Sequence, residues 1–129
     1  MANADRFEDL IVWQRARELT TAIYQITAAG RLAQDRGLSS QMQRAAVSVM
    51  ANIAEGFERT GVLEFQRFVT IAKASCAEVR SLLYVALDVG YINQVTFARL
   101  MGQAREVGYL AGRLRTSLAQ RRRSDDDRT

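Results

Sequence analysis

Gln43-Arg44-Ala45-Ala46-Val47-Ser48-Val49-Met50-Ala51-Asn52-Ile53-Ala54-Glu55-Gly56 carries two helical faces at once. Met42, Ala45, Val49 and Ile53 recur at three- and four-residue spacing, the repeat of an amphipathic helix. Arg44, Ser48, Asn52, Glu55 and Arg59 recur at the same spacing on a second face. An apolar stripe and an ordered polar row, separated by small residues, describe a helix packed on more than one side.

Outward from this stretch the chain divides into four helical segments. The central one is expected to start at an N-cap, Ser39 or Ser40, and to run to about Arg59. Thr60-Gly61 breaks it, with Gly61 suited to a left-handed C-cap. Upstream, residues 30–37 interrupt the pattern with two glycines. Before them a helix is expected over about 8–28, with Val12, Ala16, Leu19, Ile23 and Ile26 as its buried stripe, widened by Trp13 and Tyr24. Downstream, Phe65, Phe68, Ala72, Cys76, Val79, Leu83 and Ala86 define a third helix, which Gly90-Tyr91-Ile92-Asn93 ends. The fourth has the most regular register, through Phe97, Leu100, Ala104, Val107, Ala111, Leu114 and Leu118. The 129 residues include no proline, so nothing forces a kink. No segment shows strand alternation. Long helices joined by short loops favour antiparallel neighbours, so the fold expected is an all-α, up-down-up-down four-helix bundle. Residues 1–123 would form the domain, and 124–129 a flexible acidic tail.

A chain of this length buries roughly two-thirds of its unfolded surface, which makes a metal or disulfide unnecessary for stability. The single cysteine, Cys76, lies in a helical apolar pattern and reads as a small core residue. An unpaired thiol suits a reducing cytoplasm. The N-terminus has no apolar signal core, and no apolar run approaches the ~20 residues that span a bilayer. Histidine is absent, which removes serine–histidine and cysteine–histidine chemistry. Phosphate-binding glycine loops are absent too. The expectation is a cytoplasmic protein that is not an enzyme and holds no cofactor.

The motifs, taken in order, resemble those of the four-helix-bundle family of 23S rRNA intervening-sequence proteins. Phe7-Glu8-Asp9-Leu10-Ile11-Val12-Trp13 is similar to the family's opening. Leu38-Ser39-Ser40-Gln41 and Arg44-Ala45-Ala46 resemble the approach to its hallmark, Asn52-Ile53-Ala54-Glu55-Gly56. Glu64-Phe65 through Phe68, then Ile71-Ala72, Ser75 and Glu78, resemble its third helix, and Gly90-Tyr91-Ile92 its usual ending. Met50 stands where many members have proline, which removes a kink from the central helix. The resemblance implies a ring-shaped homopentamer. Some relatives are encoded in insertions within 23S rRNA genes. A related branch serves diversity-generating retroelements as an accessory protein that partners a reverse transcriptase and binds nucleic acid.

Two groups of residues are candidate sites. Arg44, Asn52, Glu55, Ser75 and Glu78 are the polar residues of the resemblance. Facing carboxylates in a bundle suggest a di-iron site, but such sites use Glu-x-x-His motifs, and no histidine is available. A buried or half-buried hydrogen-bond network, with Arg44 as counter-charge to the carboxylates, is the reading favoured.

The second group follows from charge. Residues 1–98 balance to zero, whereas residues 99–123 carry seven arginines against Glu106 alone. Arg105, Arg113, Arg115, Arg121, Arg122 and Arg123 are therefore candidate contacts for RNA or DNA phosphates. The alternative is a solvated helix end neutralised by Asp125, Asp126 and Asp127. No exposed aromatic pattern suggests base stacking, so binding should be electrostatic and weakly sequence-specific. Self-association has two hints. Gly108 and Gly112 permit a close helix approach, and Ile71, Ala74, Leu82 and Val85 form a second apolar row that is either a wide core stripe or a subunit interface. The rival function is a structural protein–protein adaptor with no nucleic-acid role.

Overall fold

The computed structural model describes residues 4–127. A short 3-10 turn, Phe7–Asp9, leads into α1 (Ile11–Thr27), a one-turn α2 (Gly30–Gln34), α3 (Arg36–Glu58), α4 (Val62–Asp88) and α5 (Gln94–Asp127). No strand occurs among the described residues. The four long helices pack in the cyclic order α1, α3, α4, α5. Each seam is antiparallel. Thr20 meets Ala46 while Thr27 meets Gln43, Ser48 meets Ser75 while Gly56 meets Phe68, and Cys76 meets Ala104 while Lys73 meets Gly112. The expected up-down-up-down bundle is the observed one.

The apolar stripes of all four helices meet in one core. Leu19, Ile23, Met42, Ile53, Leu83, Leu100 and Leu118 are among its fully buried members, each contributing roughly 1.5–3 kcal/mol by leaving water. Thr20 and Thr27 are buried with this stripe because their hydroxyls donate back to Ala16 O and Ile23 O, both at 2.8 Å.

The helix ends differ from the sequence reading in four places. α1 begins at Ile11, because Leu10 is extended (φ −74°, ψ 125°) after the 3-10 turn. α3 begins at Arg36, inside the expected loop, because the Asp35 carboxylate accepts from Leu38 N at 3.1 Å and caps it. Ser39 is consequently interior to the helix, and its hydroxyl donates to Leu32 O. Gly61 does adopt positive φ (+99°), but as the N-cap of α4, while Arg59 ends α3 in an extended conformation. Finally, α5 continues to Asp127, so residues 124–127 extend the helix instead of forming a tail; 128 and 129 lie outside the described residues. No glycine or proline follows Gly112 to stop it, and Arg121, Arg122 and Arg123 precede Asp125, Asp126 and Asp127 at i,i+4 spacing.

The α4–α5 turn behaves as the sequence suggests. Gly90, at φ +81°, follows the last residues of α4. Tyr91 N donates to Ala86 O at 2.9 Å and Gly90 N to Leu87 O at 3.0 Å, a Schellman closure. The Tyr91 hydroxyl reaches Asp35 Oδ2 at 3.1 Å, tying this turn to the start of α3. α3 itself passes through Met50 without interruption.

Gly56 decides how closely α3 and α4 approach. A Cβ there would lie 2.6 Å from Phe68 Cβ and 3.0 Å from Phe65 Cδ1, closer than carbon atoms tolerate. Gly56→Ala is expected to lower the unfolding free energy by about 1–3 kcal/mol in urea denaturation. Gly102→Ala, where the added carbon meets nothing within 4 Å, should instead raise it by about 0.5–1 kcal/mol. Equal effects at the two positions would show that α3 and α4 are not held in close contact.

Candidate nucleic-acid interface

The polar residues of the central motif divide between the α3/α4 seam and the surface. Ser48 and Ser75 join their hydroxyls at 2.8 Å across the seam. Asn52 donates its amide to Ser48 O at 2.8 Å and to Ser48 Oγ at 3.0 Å. These three are half-buried. Arg44, Glu55 and Glu78 are exposed, so of the five residues expected in a buried or half-buried network only Asn52 and Ser75 belong to one, joined through Ser48. Glu55 pairs instead with Arg59, one turn on in the same helix, at 2.8 Å. Both side chains of this pair are about half exposed, so neither charge has to be fully desolvated. Arg44 is exposed and is not the counter-charge.

The glycine pair of α5 is also used within the chain. A Cβ on Gly108 would stand 3.8 Å from Cys76 Sγ, and one on Gly112 3.4 Å from Lys73 Cε. The close approach foreseen for Gly108 and Gly112 is made within the chain, at the α4/α5 seam. Beneath them Cys76 is buried, as its sequence context suggests, and its thiol donates to Ala104 O at 3.0 Å.

Above this seam lies a groove of about 1350 Å³ that also reaches the start of α1. Of the arginines singled out in the sequence, Arg105, Arg113, Arg115 and Arg123 line it. Arg121 and Arg122 are exposed on α5 but do not line it. The sequence reading missed Lys73 and Arg80, which α4 adds to the same lining, because they sit far away in the chain within a segment of balanced charge. Asp and Glu are absent from the lining. Glu106 faces α1, where Arg15 Nε approaches it at 3.6 Å. The reading also missed Tyr109, which is 64% exposed in the groove with the Arg113 guanidinium 5.9 Å from its ring centre. Its signal was available in retrospect: Tyr109 stands four residues from both Arg105 and Arg113, off the buried register of Val107 and Ala111. Six cations with no carboxylate among them form a surface suited to a polyanion.

A family model described as 23S rRNA-intervening sequence protein matches residues 8–112. A crystal structure of a protein with unknown function from the S23 ribosomal protein family of Bacteroides thetaiotaomicron has the same fold. It is 20% identical, with a TM-score of 0.72 over 78% of this chain and 94% of that one. No curated protein matches the sequence.

Burial pushes the Cys76 thiol above its ordinary titration range, against the opposing pull of Arg80, the Gly108 amide and Lys73. The unfolded chain therefore releases this proton first, and stability falls as pH rises from the ordinary thiol value through the elevated one. At neutral pH, iodoacetamide should label Cys76 much more slowly in the native protein than in urea, as followed by mass spectrometry. Equal labelling rates would mean that the seam opens readily.

Proposed function

The chain belongs to the 23S rRNA-intervening sequence protein family, and from that premise we propose that it is a non-catalytic, self-assembling four-helix bundle. In this reading it forms a homopentameric ring and offers basic surfaces to nucleic acid, or to an enzyme that acts on nucleic acid such as a reverse transcriptase. The observation that carries the proposal is the groove between α4 and α5, where Lys73 and Arg80 join four arginines of α5 with no carboxylate in the lining. Cations gathered along one concave strip attract phosphates more strongly than the same charges scattered over a surface. Arg15, Arg59 and Arg67, which form ion pairs with glutamates, do not line the groove.

Self-assembly draws support from the outer surface of α4. Ile71 and Val85 are 48% and 42% exposed, and Ala74 is exposed as well. Only Leu82 of that row packs against the core. The row is therefore too exposed to be a wide core stripe, and Leu63 and Val89 on the same helix add to the apolar surface. Apolar side chains exposed along one helix are a surface that protein contacts commonly cover. The cytoplasm, which suits an unpaired thiol, is the compartment proposed. Among the described residues no helix is long and apolar enough to cross a membrane.

Fluorescence anisotropy with a structured RNA across a salt series tests the nucleic-acid role. Affinity should fall linearly on logarithmic axes. Replacing Arg113, Arg115, Arg121, Arg122 and Arg123 together with Gln should weaken binding and flatten that slope. An unchanged slope would remove these residues from the interface. Absence of binding at low salt would favour the adaptor reading, in which the bundle contacts only proteins. For assembly, light scattering at micromolar concentration should give the mass of a pentamer, and Ile71→Glu with Val85→Glu should reduce it while leaving the helical circular dichroism unchanged. A monomeric mass for the unmodified protein would remove the ring.

A further inference from the structure

We propose that the α4/α5 groove takes single-stranded nucleic acid, with Tyr109 as a platform on which a base stacks; the inference rests on the nucleic-acid reading above. The first observation is how closely the two helices pack beneath the groove. Its floor is the seam where Gly108 and Gly112 bring α5 against Cys76 and Lys73. Helices packed directly against one another stand roughly 8–10 Å apart between their axes. One sugar–phosphate chain can follow the line of such a seam with the cations of both helices beside it, whereas a duplex is broader than the seam.

The second observation is the order of groups along the strip. The antiparallel register sets Arg80 near Arg105 at one end, Lys73 across from Gly112 in the middle, and Arg123 at the far end. From Arg105 to Arg123 the helix extends about 27 Å. That length spans several nucleotides of an extended single strand, a site size usual for single-strand binders.

The third observation is Tyr109. It is 64% exposed, so burial does not account for its position, and Arg113 lies over one face of its ring at 5.9 Å. An aromatic ring held by a guanidinium among phosphate-binding cations is the arrangement that single-strand binders use. Stacking on it tolerates any base, since every base has a π-face. A duplex keeps its bases stacked on each other and offers none to Tyr109. The Gln66 side-chain oxygen, also in the lining, is buried without a hydrogen-bond partner.

The test uses the full chain and three fluorescein-labelled probes: a uridine dodecamer, a thymidine dodecamer and a duplex of the same length. The single strands are expected to bind about tenfold more tightly than the duplex at low salt. Tyr109→Ala should weaken single-strand binding about tenfold without altering the salt slope, and Tyr109→Phe should restore it. Lys73→Ala and Arg80→Ala should each lower the slope by about 0.7, the value for one phosphate on a single strand. A duplex that binds as tightly as the single strands, or a Tyr109→Ala variant that binds like the parent, would overturn this inference and leave phosphate binding intact. Failure of all three probes to bind at low salt would overturn the nucleic-acid reading beneath it.

Discussion

The close approach of α3 to α4 at Gly56 is the constraint on which the rest of the bundle depends. With a Cβ-to-Cβ distance of 2.6 Å implied for any larger residue, only glycine lets the two backbones meet there. Phe65 then packs edge-to-face against Phe57 at 5.9 Å, closing that end of the seam. Further along, Ser48 and Ser75 meet at 2.8 Å with Asn52 beside them. The hallmark Asn52-Ile53-Ala54-Glu55-Gly56 thus works mainly as packing chemistry. Ile53 fills the core, Gly56 sets the spacing, and Asn52 donates to the half-buried Ser48 hydroxyl that joins Ser75 across the seam.

Small residues recur at the opposite seam with another consequence. Gly108 and Gly112 leave α5 bare where Cys76 and the Lys73 stem lie against it. Without side chains there, the outer surface is depressed, and the long cationic side chains on either side stand as walls. Packing requirements and surface electrostatics are therefore linked. The same glycines that seat α5 in the bundle create the groove that Arg105, Arg115 and Arg80 line. Glu106 is directed to the α1 side and pairs with Arg15, so the one acidic residue between Arg99 and Arg123 stays out of the lining of the groove.

Much of the architecture was legible because it rests on local periodicity. The α5 stripe from Phe97 to Leu118 is buried at every position named from the sequence, since a helix without breakers keeps its register. The turn at Gly90-Tyr91 was equally plain. Helix starts were less so. Asp35 and Ser39 are both good N-caps, and which one acts depends on α2, whose Leu32 carbonyl engages the Ser39 hydroxyl. The site was only half legible. Clustering of arginines along α5 appears in the sequence, but Lys73 and Arg80 join it only through antiparallel pairing with α4. Arg44 and Glu78 look like members of a buried network by spacing alone, yet they lie just outside the seam and face water.

The sequence by itself determined the number of the long helices, their buried faces, the all-α class and the excess of positive charge near the C-terminal end. Each of these follows from spacing within one segment and from backbone preferences that do not depend on distant residues. Tertiary structure alone decided which polar residues became partners, that Gly108 and Gly112 face α4 of the same chain, and that Tyr109 stands exposed among cations from two helices. Those outcomes depend on the register between helices. Register is set by how side chains interlock across a seam, and a shift of one turn would give every cross-helix contact a different partner.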